Sequence, residues 1–260
     1  MQNIRAEDIP LPPDDRSCSG GCGKVLKAEW MPSVINTALT AIGKPGIYVF
    51  PDPCEACTKR IDEREAAALA EEEAKERRIK LVALLGGERG VDDFTFPKYV
   101  PKTESQTAAL EECRNFAPGA SSLYLWGTTG GGKTHLSCAL AAAAFNAGLR
   151  VEFWKTGPLL RYIRMKEPDI QEKIIKRWVT ADLFVLDDLG IGKTSDFSAS
   201  IFYDIVDARF MAKRHGLVVT SNLSLDAMAK NLDDDRLPSR IAGLCKGNII
   251  EVKGPDGRLQ

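Results

Sequence analysis

A glycine-rich octapeptide, GTTGGGKT at residues 127–134, constrains the fold of this chain more than any other feature. It fits the pattern G-x-x-x-x-G-K-[ST] at each fixed position. It follows the apolar run SSLYLW (121–126) directly and precedes an alanine-rich stretch that is typical of a helix. Glycines permit positive φ, so successive backbone N–H groups can turn towards one centre, and the helix N-terminus adds its dipole. Strand, loop and helix in this order predict a phosphate-binding loop.

The positions of this loop have separate expected roles. Lys133 would reach the terminal phosphates of ATP, and the hydroxyl of Thr134 would ligate Mg²⁺. A chance glycine turn before a helix is the alternative, and the strand and helix on either side argue against it. The backbone positions expected to surround the phosphates are Gly127, Thr128, Thr129, Gly130, Gly131 and Gly132.

The tripeptide Gly-Lys-Thr occurs a second time, at residues 192–194, but this copy does not fit the loop pattern. The position five residues before its glycine is Asp187, and Asp187 and Asp188 end the apolar run LFVLDD. An apolar strand that ends in two carboxylates is typical of a Walker B segment, in which we expect Asp187 to hold Mg²⁺. Asp188 would then orient or deprotonate the attacking water. The alternative is a strand end followed by a solvated acidic turn.

Apolar runs alternate with helical patterns over the C-terminal part of the chain. Strands are predicted at 121–126, 150–155, 182–187 and 216–221, with a weaker one at 248–252. Strands that alternate with helices predict an α/β fold with a mostly parallel sheet covered on both faces. The strand 216–221 leads into Asn222, which could reach the γ-phosphate or the lytic water from a position beside the strand that ends in Asp187. The alternative is that Ser221 and Asn222 only form a turn after the strand.

Four of the seven cysteines form two close pairs near the N-terminus, Cys18 with Cys22 and Cys54 with Cys57. Four thiolates satisfy tetrahedral Zn²⁺ without an open position, so the expected role is structural. Unliganded or redox-active cysteines are the alternative.

The chain is expected to have three parts. A cysteine-rich zinc-binding module occupies 1–60, a charged helical linker 61–90 and an ATPase domain 91–260. The linker contains strong helix formers with i,i+4 charge pairs, which is typical of a solvated spacer, and a surface for a partner is the alternative.

The composition excludes several classes of protein. No run of about 18 apolar residues is present, and the first sixteen residues lack an apolar run of signal-peptide length. We therefore expect a cytoplasmic chain without membrane contact. The formal net charge is -1, so any contact with nucleic acid must come from a local basic patch.

Five blocks of sequence resemble one family. They are GTTGGGKTHL, LFVLDDLG, DFSASIFYDIVDARF, VVTSNL and LPSRIAG, in this order. Together they are similar to the AAA+ ATPases of the DnaC/DnaI helicase-loader group, which also includes the IstB transposition helper. The resemblance covers residues 91–260 and implies an AAA+ P-loop core without a separate lid domain.

The resemblance implies further roles where the letters match. Asn222 would be the sensor 1 residue, and His135 belongs to the block that binds ATP. Arg240 would be the arginine finger that completes the ATP site of a neighbouring subunit, so hydrolysis would require self-association. Arg258, in the ending GPDGR, would be the sensor 2 arginine. Many ATPases of this class have Glu where this chain has Asp188, so hydrolysis is expected to be slow or dependent on partners.

The resemblance also implies partners. The N-terminal zinc module would bind a hexameric replicative helicase, and the segment after the second strand would face single-stranded DNA. The basic side chains expected to neutralise DNA phosphates there are Lys155, Arg161, Arg164 and Lys166. The alternative for this segment is an amphipathic surface helix with Leu159, Leu160 and Ile163 directed inward.

These observations predict an ATP-dependent loader of a hexameric replicative helicase onto single-stranded DNA during replication initiation. The expected cofactors are ATP, Mg²⁺ and Zn²⁺. An IstB-like transposition helper ATPase that acts on duplex DNA is the alternative. A third hypothesis, suggested by Asp188, is an adaptor that uses bound ATP only to fix its shape.

Overall fold

The computed structural model describes residues 14, 16–27, 29, 30, 48, 49, 53–190 and 196–255. Two units make up the chain, Met1–Glu76 and Arg77–Gln260. The second Gly-Lys-Thr copy at 192–194 and the predicted sensor 2 residue Arg258 lie outside the described residues.

Short strands and the start of a long helix form the N-terminal unit. The antiparallel pairs are β1 (Arg16–Ser17) with β2 (Val25–Leu26) and β3 (Glu29–Trp30) with β4 (Tyr48–Val49). The helix Glu55–Leu85 begins before the predicted helical linker, which starts at residue 61, so Cys57 lies in its first turn. Every residue from 58 to 80 is exposed, as expected for a solvated charged helix.

A five-stranded sheet lies at the centre of the second unit. Its strands are β5 (Leu123–Trp126), β6 (Val151–Lys155), β7 (Leu183–Asp187), β8 (Leu217–Ser221) and β9 (Ile249–Glu251). Their spatial order is β6-β7-β8-β5-β9, and every neighbouring pair is parallel. The predicted α/β fold is confirmed, and each predicted strand is present, slightly shorter than expected.

Helices cover both faces of this sheet. Because side chains alternate along a strand, Tyr124 and Phe184 enter one hydrophobic core while Leu123 and Leu183 enter the other. The helices of the unit are Glu88–Asp92, Glu104–Arg114, Lys133–Asn146, Thr156–Arg164, Pro168–Thr180, Asp196–Met211, Leu225–Leu232 and Arg236–Leu244, with a 3-10 turn at Phe96–Lys98. Each described helix is either too short or too polar to span a lipid bilayer.

Candidate nucleotide site and cysteine cluster

The phosphate-binding loop (127–134) joins β5 to the helix Lys133–Asn146. Gly127, Gly130 and Gly132 have φ values of 137°, 79° and 97°, in the region that side-chain-bearing residues rarely adopt. A Cβ atom at Gly127 would collide with the carbonyl oxygen of Val252, and one at Gly132 with the ring of Tyr99. Gly127 and Gly132 are therefore required both by backbone conformation and by close packing, and Gly130 by backbone conformation.

The ammonium group of Lys133 lies over this loop. It donates hydrogen bonds to the carbonyl oxygens of Gly127 and Thr128, at 2.8 Å each, and to Oδ1 of Asn222 at 2.9 Å. Only 7% of Lys133 is exposed. The fold thus brings two predicted site residues, Lys133 and Asn222, into direct contact although 89 positions separate them.

Asp187 is a buried carboxylate at the end of β7, surrounded by hydroxyl groups. Thr134 donates to its Oδ2 at 3.1 Å, while Ser137 and Thr220 donate to its Oδ1 at 3.1 and 2.8 Å. Burial raises the pKa of Asp187, and these three hydrogen bonds act in the opposite direction with less effect. Thr134 and Asp187 were expected to meet; Ser137 and Thr220 were not identified from the sequence.

The donor set around Asp187 fits Mg²⁺. This ion prefers oxygen ligands at 2.0–2.1 Å in octahedral geometry, which places adjacent ligand oxygens about 3.0 Å apart. The observed separation between Thr134 Oγ1 and Asp187 Oδ2 is 3.1 Å. These two oxygens could therefore occupy neighbouring positions around one ion without moving apart.

The exposed residue Asp188 follows in a left-handed turn, with φ at 58°. Its N–H donates to Thr220 Oγ1 at 2.8 Å, and its carbonyl accepts from Thr156 Oγ1 at 2.9 Å and from the Gly190 N–H at 2.7 Å. A non-glycine residue in this conformation costs on the order of 1 kcal/mol, which the surrounding hydrogen bonds must offset. The turn directs the Asp188 carboxylate away from the core and into solvent, where it can contact a water molecule.

The position of β8 explains how Asn222 reaches the loop. This strand pairs with β7 on one side and with β5 on the other, so its end lies between Asp187 and the phosphate-binding loop. We expected the strand that leads to Asn222 to lie beside the strand that ends in Asp187. The pairing of β8 with β7 confirms this expectation.

His135 packs against residues 94–99, which precede the helix Glu104–Arg114. Its Nε2 is 2.7 Å from the carbonyl oxygen of Thr95, and its ring lies 5.2 Å from that of Phe94 and 5.1 Å from that of Tyr99. Burial lowers the pKa of His135, which favours the neutral ring. The His135 side chain thus connects the helix Lys133–Asn146 to residues 94–99.

Arg240, the predicted arginine finger, is held within its own chain. Its Nε donates to Asp207 Oδ1 at 2.5 Å, and its guanidinium lies 4.6 Å from the ring of Phe210. Both partners belong to the helix Asp196–Met211. Contact of Arg240 with another subunit would require it to leave or share this ion pair.

The basic segment after β6 combines an inward apolar side with exposed cations. Leu159 and Ile163 are fully buried and Leu160 is half-buried, as the amphipathic pattern predicts. Lys155, Arg161 and Arg164 are exposed, and Lys166 is half-buried with its Nζ 4.8 Å from the Tyr162 ring. Lys155 ends β6 in register with Asp187, so this cation lies at the same sheet edge as the acidic pair.

All four predicted zinc ligands come together in the N-terminal unit. The sulfur atoms of Cys18, Cys22, Cys54 and Cys57 lie within 4.8 Å of one another, and those of Cys22 and Cys54 are 3.6 Å apart. Tetrahedral zinc with bonds of about 2.3 Å requires sulfur separations of about 3.8 Å, so the cluster fits the ion.

The backbone supports a thiolate within this cluster. The N–H groups of Cys54 and Gly20 donate to Cys18 Sγ at 3.3 Å each. The Cys54 hydrogen bond is the main reason why the pKa of Cys18 falls to about 7. A metal-binding thiol must lose its proton, and these donors favour that form.

Comparison with known proteins gives a family match over most of the chain. A family model described as "IstB-like ATP binding protein" matches residues 58–260, a range that begins directly after Cys57. An insertion sequence ATP-binding protein of Sinorhizobium fredii is 26% identical over 166 residues, which is 61% of this chain and 55% of the relative. The IS21 ATP-binding protein of Pseudomonas aeruginosa is 27% identical over 172 residues, 65% of this chain and 63% of the relative. The chain thus spans less than two thirds of these relatives.

Solved structures share the fold of the second unit. The crystal structure of the DnaC helicase loader superposes with a TM-score of 0.54 at 25% identity, covering 64% of this chain and 100% of that chain. The crystal structure of DnaI gives a TM-score of 0.50 at 21% identity, covering 62% and 89%, and this second likeness concerns the fold alone.

Proposed function

The chain belongs to the IstB-like ATP-binding protein family, and from this premise we propose that it is an ATPase that loads a hexameric replicative helicase onto single-stranded DNA. The observation that carries the proposal is the similarity to the DnaC helicase loader, which extends over all of that chain. The cysteine cluster adds support because it precedes the matched region and offers a separate module for docking the helicase.

ATP would bind with its phosphates on the loop 127–134. Lys133 would exchange its present backbone acceptors for phosphate oxygens, while Thr134 and Asp187 would hold Mg²⁺. When bound, this ion neutralises phosphate charge. Asp188 would orient the attacking water, and Asn222, already bonded to Lys133, would respond to the terminal phosphate.

Hydrolysis would need a second subunit. Arg240 would leave Asp207 and complete the ATP site of a neighbour, with Arg258 as the sensor 2 arginine. In the same assembly Lys155, Arg161, Arg164 and Lys166 would neutralise phosphates of single-stranded DNA.

The proposed organisation assigns residues 1–60 to a zinc-binding module, 61–90 to a linker and 91–260 to the ATPase domain. Zinc would be structural in this arrangement, since four cysteine ligands leave no open position. The module would carry the helicase contact.

The experiment is helicase loading in a purified system. The full chain should co-elute with the replicative helicase of its source and increase the amount of that helicase on circular single-stranded DNA in the presence of ATP. If the chain neither co-elutes with the helicase nor increases its loading, the proposal is wrong.

A transposition helper that acts on duplex DNA is the second candidate. It is favoured by the curated relatives, several of which are named as insertion sequence ATP-binding proteins. Binding of a transposase from the same source, together with ATP-dependent assembly on duplex DNA, would favour this candidate over the loader.

The two Gly-Lys-Thr copies allow the proposed ATP site to be tested by substituting the lysine of each copy. Lys133→Ala should abolish nucleotide binding, whereas Lys193→Ala, in the second Gly-Lys-Thr copy, should leave it intact. Equal losses in a nucleotide titration would contradict the placement of ATP on residues 127–134. An ATPase rate that is low and unchanged in Asp188→Asn would instead favour an adaptor that binds ATP without turnover.

A further inference from the structure

We propose that Tyr99 and Gln106 are positioning residues for the phosphate-binding loop, because together they fix the orientation of the peptide group between Gly131 and Gly132. The proposal rests on the proposed placement of ATP on this loop. Neither residue belongs to the loop pattern, and neither was identified from the sequence.

The carbonyl oxygen of Gly131 accepts two hydrogen bonds from outside the loop. The Tyr99 hydroxyl donates at 3.2 Å and Gln106 Nε2 donates at 3.1 Å. Both side chains are buried, with 8% and 5% of their surface exposed. A carbonyl oxygen has two lone pairs, so these donors satisfy it completely.

Fixing this carbonyl also fixes the next N–H. In a trans peptide the C=O and N–H vectors point in opposite directions, so the N–H of Gly132 points away from Tyr99 and Gln106. Gly132 is the N-cap of the helix Lys133–Asn146 and has φ at 97°. Its N–H therefore belongs to the set of donors that a helix N-terminus offers to an anion.

The hydrogen bonds from Tyr99 and Gln106 to the Gly131 oxygen, together called the clamp, oppose a motion that glycine otherwise allows. Gly130, Gly131 and Gly132 are consecutive, and glycine populates positive and negative φ about equally, so peptide groups between glycines can flip. A flip of the Gly131–Gly132 peptide would turn a carbonyl oxygen, instead of an N–H, towards the phosphates. Two buried donors on the carbonyl make that flip unfavourable, because the donors would lose their acceptor.

The orientation of each donor is itself determined. Gln106 Oε1 accepts from the Lys102 N–H at 2.8 Å, which directs Nε2 towards Gly131, and Gly254 packs so closely that a Cβ there would collide with the Gln106 amide. The Tyr99 ring packs edge-on against His135. Burial raises the pKa of Tyr99 to about 12, so its hydroxyl keeps its proton at neutral pH.

Two variants test the clamp by nucleotide titration of the full chain with Mg-ATP. Tyr99→Phe removes one donor and keeps the ring, and we expect about fivefold weaker binding. Gln106→Glu keeps the acceptor for the Lys102 N–H but places a carboxylate oxygen next to the Gly131 carbonyl oxygen, where the two repel. We expect this variant to bind Mg-ATP about fiftyfold more weakly, or worse.

Matched controls make the same chemical changes elsewhere. The Tyr124 hydroxyl donates to the Leu223 carbonyl at 2.7 Å, and Gln171 Nε2 donates to the Lys166 carbonyl at 2.8 Å. Tyr124→Phe and Gln171→Glu should bind Mg-ATP within about twofold of the wild type, since neither touches the loop.

A pH profile separates positioning from general destabilisation. As pH falls, Glu at position 106 takes up a proton and becomes a donor to Gly131 again. The affinity of Gln106→Glu relative to wild type at the same pH should therefore recover towards acidic pH, whereas a merely misfolded variant would not recover. A ratio that stays constant with pH would contradict the clamp.

The outcomes distinguish the clamp from the site it serves. If Lys133→Ala binds Mg-ATP as the wild type does, the proposed ATP site is wrong. If Lys133→Ala loses binding while Tyr99→Phe and Gln106→Glu retain wild-type affinity, the clamp alone is wrong. Should Gln106→Glu fail to fold, Tyr99→Phe decides, because it introduces no buried charge.

Discussion

At the scale of single residues, Asp187 combines burial with a proposed role, magnesium binding, that requires its ionised form. Its pKa is raised, so the folded chain binds the proton more tightly than the unfolded chain does. Stability is therefore lost as pH rises from the ordinary carboxyl range, about 4, through the raised pKa. We predict that Asp187→Asn raises the Tm of the magnesium-free protein at neutral pH, and that the difference shrinks towards pH 4.

The amide can keep the local hydrogen bonds, since its oxygen accepts from Ser137 and Thr220 and its NH₂ group can donate to Thr134. Thermal unfolding across pH measures the effect, and Asp188→Asn, at the exposed neighbouring position, should leave the Tm nearly unchanged. A lower Tm of Asp187→Asn at neutral pH would contradict the argument.

Motif spacing predicted Lys133 and Asp187 with the partners Asn222 and Thr134, but it did not predict the other neutral residues around them. Lys133 and Asp187 stand out because a lysine after glycines and a carboxylate after an apolar strand are rare combinations. Ser137, Thr220 and Gln106 have no such signal, because neutral polar residues occur throughout the chain and their contacts join distant positions. Only the folded arrangement of helices and strands brings these residues to the site.

At the scale of elements, one buried arginine joins two helices. Arg209, on the helix Asp196–Met211, donates to the carbonyls of Trp178, Val179 and Ala181 at 3.0, 2.9 and 3.1 Å. These groups lie at the end of the helix Pro168–Thr180, whose last carbonyls have no partner within the helix. We predict that Arg209→Met lowers the free energy of unfolding by about 3 kcal/mol, because buried carbonyls lose their donor.

Urea-induced unfolding of the wild type and of Arg209→Met measures this change in the free energy of unfolding. Arg214→Met is the control, because Arg214 donates to the Thr180 carbonyl at 2.7 Å from a partly exposed position, and its loss should cost less than about 1 kcal/mol. Equal effects of the two substitutions would show that burial of Arg209 is not the decisive factor.

The strands were predictable from apolar runs, but of their spatial order only the adjacency of β8 to β7 was expected. Periodicity reports which residues face a core, whereas the insertion of β8 between β7 and β5 depends on how the helices pack across the whole sheet. The start of the helix at Glu55 was also missed, because Cys57 in its first turn and Cys54 just before it resemble a metal-binding loop in sequence.

At the scale of the whole molecule, the N-terminal unit contains a candidate zinc site of four cysteines. We predict about one zinc ion per chain, since four thiolates complete one tetrahedral site. Cys18→Ser or Cys54→Ser should lose the metal, as measured by elemental analysis, while Mg-ATP affinity remains within about twofold because residues 77–260 have their own core. Cys113→Ala, which removes a buried thiol outside the cluster, should retain zinc; loss of zinc there as well would contradict the site.

Assembly gives a second prediction at this scale. Arg240→Ala should lower kcat for ATP by about 100-fold or more, without weakening ATP binding, because an arginine finger acts on the site of a neighbour. The matched control is Arg236→Ala, one turn earlier on the same helix, whose side chain pairs with Asp234 at 2.7 Å. Wild-type turnover by Arg240→Ala, or a per-chain rate independent of protein concentration, would contradict this role.

The left-handed turn at Asp188 restricts which acidic residue is compatible with this position. Asp and Asn tolerate positive φ better than longer side chains do, so a glutamate in the same turn would add strain to a backbone already held by Thr156 and Thr220. A change from Asp to Glu should therefore be accepted only together with a change in these threonines or in the turn. Variation among relatives at the three positions should be correlated.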